Sequence, residues 1–408
     1  MQRMTSTAQG PRPLAIAVAG LLSLAIAMGI GRFAFTPLLP MMLADGLVDL
    51  AGGSTLATAN YLGYWIGAMA CALQPALWRR WPRAPVLVHA SVVRAGLLAT
   101  ALLTLAMAWP SAALWVGWRL AAGIVSALVF VFVSGWCLAR LTALGAPALA
   151  GLMYAGPGLG ITVSGLAGTA MVAAGVSAAA AWASLAALAL LLSAFAWPQL
   201  RGSVNPPPPP AAGAAGPRRT AVGLFVLAYG LAGFGYIVTA TFLPVIARQS
   251  LAGSVWLDLF WPLFGVGVSA GALLTLKLPM HWDRRGLLLA GYLLQALGVL
   301  LGLAWPTRAG FACGSLLLGL PFTAITLFAM QEARRLSPHN AAALIGLLTA
   351  AYGLGQIAGP LLVATLVQRS GDAATGFAWS LQSAAAALLL GAGLFGWLMH
   401  HERPAPLR

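Results

Sequence analysis

The amino-acid sequence predicts an all-α membrane protein with twelve transmembrane helices in two pseudo-symmetric six-helix bundles. Three observations predict it. First, the 408 residues are 61% hydrophobic and only 7% charged, against about 25% charged in an ordinary soluble domain. Lipid rather than water must therefore cover most of the surface. Second, the apolar runs are long. A helix crossing a bilayer needs about 20 residues, whereas a barrel strand would be near ten residues with alternating polarity. Third, one polar break at 198–219, holding the prolines 206–210, falls near the centre and leaves six runs on each side.

The first run, 14–42, follows Arg3 and Arg12 and continues well past the apolar core of a signal peptide, so it reads as a span. Runs 54–77, 85–109, 112–139, 147–171 and 175–197 complete the first bundle. The break at 198–219 cannot be helical, because proline lacks the N–H donor and fixes φ; a polyproline run is extended and semi-rigid. Runs 221–247, 253–276, 286–305, 309–331, 341–367 and 375–399 form the second bundle. Prolines 37, 40, 157, 244, 262, 321 and 360 lie inside these runs, which buried membrane helices tolerate. Trp78, Trp81, Trp109, Trp197 and Trp305 lie near run ends, the position of an interfacial belt. The domain organisation is a tail at 1–13, a bundle at 14–197, a linker at 198–219, a bundle at 220–399 and a tail at 400–408.

The two bundles repeat. Gly29-Ile30-Gly31-Arg32 through Leu39-Pro40 aligns with Gly233-Phe234-Gly235-Tyr236 through Leu243-Pro244 at an offset of 204 residues. Ala155-Gly156-Pro157 aligns with Ala358-Gly359-Pro360 at an offset of 203. Matching positions in runs 1 and 7 and in runs 5 and 11 indicate a duplicated unit. The basic residues orient it. With the N-terminus inside, sixteen Lys and Arg residues fall in cytoplasmic segments and three, Arg248, Arg308 and Arg369, fall outside. The positive-inside rule then places both termini in the cytoplasm.

Several function classes are excluded. The net charge of +15 is scattered between apolar runs, with no basic groove or aromatic–basic platform for nucleic acid. Cys71, Cys137 and Cys313 are odd in number and far apart in apolar runs, which fits neither a disulfide framework nor a metal site. The glycine clusters at 156–160 and 353–359 lie within apolar helices and lack a P-loop lysine, so they are not nucleotide loops. No metal-ligand spacing or nucleophile elbow points to an enzyme, and no cofactor is expected.

The remaining charges lie inside the spans. Arg32, Arg94 and Arg119 fall in runs 1, 3 and 4. An ionisable residue there faces the protein interior or an aqueous cavity. Arg94 lies roughly 14 Å from its cytoplasmic end at 1.5 Å per residue. Arg32 sits in the repeated segment, where its counterpart is Tyr236. Snorkelling or carbonyl bonding is the alternative for Arg94 and Arg119. Asp258 reads as two turns into run 8, either a proton-coupling group or an interfacial cap or arginine partner. Glu332 near Arg334 and Arg335 reads as a structural charge cluster. Tyr61 and Tyr64, three apart, share a helix face. With Asn60, Tyr229, Tyr236, Thr239, Gln295, Gln356 and Gln382 they suggest a polar pocket, although each alone serves equally as helix–helix glue. His89 lies near the cytoplasmic part of run 3.

Particular stretches carry a family resemblance. They are GIGRFAFTPLLPMM at Gly29–Met42, ATANYLGYWIGA at Ala57–Ala68, LAGFGYIVTATFLPVIAR at Leu231–Arg248, LLTAAYGLGQIAGP at Leu347–Pro360 and GLMYAGPGLG at Gly151–Gly160. The chain resembles the major facilitator superfamily, and within it the bacterial YbfB/YjiJ-like family. The resemblance implies the major facilitator fold, and transport driven by an ion gradient, typically protons, rather than by ATP. It implies gating or packing roles for Gly156, Pro157, Gly160, Gly359 and Pro360, where the halves seal against one another. The superfamily's loop motif between runs 2 and 3 carries an Asp, which ALWRRWPRAP lacks. Asp283-Arg284-Arg285-Gly286, between runs 8 and 9, keeps more of that pattern.

The expected function is a secondary transporter of a small organic anion or polar metabolite, working by alternating access and proton-coupled, with symport the easier direction. Arg32 and Arg119 would hold the anion, Tyr61, Tyr64, Tyr236 and Gln356 would orient it, and Arg94 and Asp258 would support coupling. The alternatives are a proton-coupled exporter of hydrophobic or cationic compounds centred on Asp258, and a non-transporting receptor or scaffold. The expected partners are membrane lipid, the small-molecule substrate and protons. The expected state is a monomer in the bacterial inner membrane.

Overall fold

The structure, a computed structural model, describes residues 12–81, 88–202, 219–251, 257–279, 282–337 and 341–401. The proline run, the tail ends and most of the loop after run 2 lie outside these residues. Twelve long helical spans are present among those described. They are α1 (Pro13–Ala44), α2 (Leu50–Arg80), α3 (His89–Ala106), α4 (Ala112–Ala143), α5 (Pro147–Ala173), α6 (Ala178–Ala196), α7 (Arg219–Ser250), α8 (Leu257–Lys277), α9 (Arg284–Ala304), α10 (Arg308–Leu336), α11 (Ala341–Ser370) and α12 (Ala373–His401). Eleven are long and apolar enough to cross a membrane. The twelfth, α2, has 31 residues but a more polar middle containing Asn60, Tyr61 and Tyr64. Exposed leucines such as Leu102, Leu190, Leu354 and Leu390 point outward, which only a lipid environment makes favourable. Trp81, Trp109 and Trp305 are exposed at helix ends, as an interfacial belt requires.

Neighbours follow a common pattern in each half of the chain. α1 packs on α5 and α2 on α4; α7 packs on α11 and α8 on α10. The most extensive contacts between the halves among the described residues are α2 on α11, α5 on α8, and the last part of α1 on α7. Glycine permits the closest crossings. A Cβ on Gly29 would lie 2.3 Å from the Cα of Gly160, and one on Gly63 would lie 1.9 Å from the carbonyl oxygen of Leu120. The corresponding crossing of α8 and α10 is as tight, with 1.6 Å between a Cβ on Gly271 and the Leu320 oxygen.

α1 is not uniform. Residues Ala25–Phe33 form a π-helix between two α-helical stretches. The wide turn ends four residues before Pro37, whose ring cannot accommodate an α-helical carbonyl at i−4 and whose nitrogen has no proton to give it. π-segments inside helices are often functional, and this one ends on Arg32 and Phe33.

Candidate functional site

Arg119 of α4 reaches the backbone carbonyls at the end of the π-segment of α1. Its Nη1 donates to the Gly31 oxygen at 3.4 Å and its Nη2 to the Arg32 oxygen at 3.3 Å. The guanidinium lies 4.7 Å over the Phe35 ring. Asn60 of α2 donates to the Arg119 carbonyl at 2.9 Å. Arg119 is thus spent largely on holding α1, the carbonyl-bonding alternative that its position allowed.

Arg32 points elsewhere. It is 3% exposed, and its Nη2 donates to Oε1 of Gln356 at 2.6 Å. Its guanidinium carbon stands 4.0 Å over the Tyr64 ring and 5.2 Å from the Tyr61 ring. Gln356 in turn donates to the Tyr236 hydroxyl. Tyr61 shares a hydrogen bond of 2.8 Å with Thr241. All six residues predicted to meet substrate therefore converge, from α1, α2, α4, α7 and α11.

Sequence reasoning missed part of the wall. Tyr352 stacks on Tyr236 at 5.8 Å, and Phe322 of α10 meets the same ring edge-on at 4.8 Å. Tyr352 was findable, because it lies four residues before Gln356 and so on the same helix face. Phe322 carries no such signal.

Acidic residues stay away from this centre. Six of the seven carboxylates lie among the described residues, and all six are engaged near helix ends. Asp45 accepts from the Ala178 amide at 2.8 Å and Asp49 from Gly52 at 2.7 Å. Asp258 pairs with Arg248, Asp283 caps α9 through the Arg285 amide, and Glu332 binds Arg285 and Arg335. Asp372 caps α12, and hydrogen bonds from the Thr375 amide and hydroxyl and the Ala374 amide hold its pKa below the ordinary carboxylate value. No carboxylate pairs with Arg32 or Arg119 among the described residues.

A family model described as the uncharacterised MFS-type transporter YbfB matches residues 24–395. The chain belongs to that family. It is accordingly a multi-pass membrane transporter of the major facilitator type, a secondary active carrier and not an enzyme. The fold agrees. A crystal structure of a mutant form of the nucleoside transporter NupG superposes with a TM-score of 0.69 at 17% identity, covering 94% of this chain and 99% of that one. No curated protein sequence matches the chain.

In this transporter two of the predicted positions need correction. Asp258 is not two turns into a span. It lies in the single 3-10 turn, Leu257–Leu259, that opens α8, and the Arg248 guanidinium is its partner. Its depth was misjudged because the residues before it in the sequence are apolar. Arg94 does not join the other two arginines. Its Nη2 donates to the Trp197 carbonyl at 2.9 Å and its guanidinium lies 4.9 Å from that ring, so it ties α3 to the end of α6. Trp197 thereby has a packing partner beyond any interfacial role.

The predicted packing residues fall where the helices approach most closely. A Cβ on Gly156 would meet the Leu21 oxygen at 2.3 Å, and one on Gly160 the Ala25 oxygen at 2.3 Å. Pro157 stands in the first turn of Gly156–Ala173, and Pro360 lies inside α11. Gly359 approaches Ile237 of α7. Arg284 donates to the Trp282 carbonyl at 2.8 Å. The strongest charge cluster at this end is Arg285–Glu332–Arg335, with both Arg–Glu distances 2.7 Å; Arg285 was not foreseen as its member. Gln295 serves as interhelical glue on the Leu318 carbonyl at 3.2 Å.

Proposed function

We propose that this transporter carries a small organic anion, with Arg32 as the charge that meets it. The observation behind the reading is a buried guanidinium at the meeting point of both halves whose one side-chain hydrogen-bond partner is neutral. A buried charge without a counter-charge is costly. A bound anion relieves that cost, and a cation would raise it. Tyr61, Tyr64, Tyr236 and Gln356 supply neutral polar groups that orient the remainder of the substrate.

Transport proceeds by rocking of the two halves, 14–197 and 220–399, about this central site, with the linker at the cytoplasmic face. Proton coupling follows from the electrical work. Moving one negative charge inward against a negative-inside potential costs about 2.3 kcal/mol per 100 mV, and a co-transported proton cancels it. The exporter reading centred on Asp258 loses its support, since that carboxylate sits at a helix end with Arg248. The protein works as a monomer in the bacterial inner membrane, both termini inside.

The test is uptake of labelled organic anions into vesicles holding the purified protein, with and without an imposed pH gradient, beside Arg32→Ala. Uptake of an anion that needs both the gradient and Arg32 supports the proposal. Uptake of lipophilic cations untouched by Arg32→Ala rejects it.

A further inference from the structure

Nε and Nη2 of an arginine lie on one edge of the guanidinium, spaced to receive both oxygens of a carboxylate. In Arg32 only half of that edge is used. Nη2 donates to Oε1 of Gln356 at 2.6 Å, while Nε is buried without a hydrogen-bond partner. A buried donor without a partner calls for an explanation; Nε of Arg94, Arg119, Arg140 and Arg248 is unpartnered too, and Arg32 differs from them in lying where both halves of the chain meet, with a neutral side chain as its Nη2 partner. A single amide oxygen cannot fill a two-donor edge; a carboxylate can.

The surroundings restrict what carries that carboxylate. The second buried guanidinium, Arg119, donates to the backbone carbonyls of Gly31 and Arg32 and its Nε is also without a partner, but only at Arg32 is the Nη2 partner a side chain that can swing aside for a ligand. The faces around it are rings. Tyr64 lies under Arg32 at 4.0 Å, and beside Gln356 the Tyr236 ring stacks on Tyr352 and meets Phe322 edge-on. Such rings favour a flat apolar body in offset or edge-on contact.

We infer that the site takes a carboxylate borne on an aromatic body, and that Gln356 stands in for one carboxylate oxygen when the site is empty. The inference rests on the anion reading and narrows it. Arrival of the carboxylate fills Nε and Nη2 together and displaces Oε1 of Gln356. That releases the hydrogen bond joining α1 to α11, which belong to different halves of the chain. Ligand entry and loosening of one cross-half tie are then one event, and the Gln356–Tyr236 bond is free to rearrange with it.

The experiment is a thermal-shift titration of the purified full chain with benzoate, phenylacetate, benzamide, acetate and succinate, since a ligand of the folded state raises its melting temperature. The wild type is run with Arg32→Ala, Gln356→Ala and Gln356→Glu. Benzoate or phenylacetate is expected to stabilise the wild type, with benzamide, acetate and succinate weaker by about tenfold or more in apparent affinity. Gln356→Glu is expected to melt no lower than wild type and to lose the response, because its own carboxylate fills the edge. Gln356→Ala, which removes the stand-in oxygen without supplying a charge, is expected to lose less of the response than Gln356→Glu.

A response to benzamide equal to that to benzoate overturns the inference, because no carboxylate is then being read. An Arg32-dependent response to succinate without one to the aromatic acids leaves the anion reading standing and overturns this narrower one. Silence toward every anion, with a response to tetraphenylphosphonium, overturns both. An undiminished benzoate response in Gln356→Glu overturns the stand-in role.

Discussion

The Nη2 of Arg32 donates to Oε1 of Gln356 at 2.6 Å, so a single side-chain bond joins α1 of the first half to α11 of the second. Both side chains are almost wholly buried, at 3% and 1% exposed. The bond satisfies the amide oxygen but leaves the positive charge uncompensated, and a site in that condition depends on arginine chemistry rather than on charge alone. Arg32→Lys is therefore expected to fail to restore transport. A lysine offers a point charge on a flexible stem without the planar edge. Uptake in vesicles should fall at least about tenfold in Arg32→Lys and in Arg32→Ala alike, equivalent to about 1.4 kcal/mol or more of binding. Recovery to wild-type uptake in the lysine variant would show that the fork geometry is irrelevant.

Arg119 should behave differently, because its donors lie on the α1 backbone. Arg119→Ala leaves the Gly31 and Arg32 carbonyls without those donors, and an unsatisfied buried polar group costs about 1–3 kcal/mol. The expected result is a lower melting temperature, with reduced uptake following from loosened positioning of Arg32. Arg119→Lys should recover part of the stability. A variant with unchanged melting temperature and abolished anion affinity would instead place Arg119 on the substrate.

Glu332 is 1% exposed at its side chain and faces Arg285, 5% exposed. Breaking such a pair by removing one partner costs about 3–5 kcal/mol, since the other charge stays buried. Glu332→Ala should destabilise strongly and Glu332→Gln less, as the amide oxygen still accepts from a guanidinium. Denaturation in detergent measures both; equal melting of Glu332→Ala and wild type would remove the cluster from the list of stabilising contacts.

Helix approach gives a paired prediction. A Cβ on Gly63 would press into the Leu120 carbonyl at 1.9 Å, whereas one on Gly117 meets nothing within 4 Å. Gly63→Ala should cost about 1–3 kcal/mol through overpacking. Gly117→Ala, two residues from Arg119 on the same helix, should stay within about 0.5 kcal/mol of wild type. Reversal of that order in a melting comparison would mean that α2 and α4 do not cross at Gly63.

Asp258→Asn is expected to leave the response of uptake to an imposed pH gradient in place. The residue sits at the mouth of α8 paired with Arg248, its side chain 20% exposed, and not beside Arg32. Loss of the gradient response, with folding and binding intact, would return Asp258 to the coupling role.

The sequence alone determined the solvent and the span pattern. Apolar run length is a local property, and it named lipid as the surroundings and gave the helices to within a few residues. Composition also placed Arg32 within a repeated segment as the charge hardest to leave in a membrane, and a resemblance carried by motifs such as GIGRFAFTPLLPMM pointed to the family. The tertiary structure decided the partners. Successive residues of a helix point about 100° apart, so a small error in rotation or depth exchanges one neighbour for another. That is why Arg94 meets Trp197 instead of the centre, why Asp258 opens α8 beside Arg248, and why Arg119 grips the α1 backbone. The π-turn of α1 could not be read either; it lies where Gly29 meets Gly160 and where Arg119 bonds the Gly31 and Arg32 carbonyls, contacts that only the packed helices bring together. Which oxygen faces Arg32 was likewise fixed only when α11 crossed α1 and brought Gln356, 324 residues away in sequence, against it.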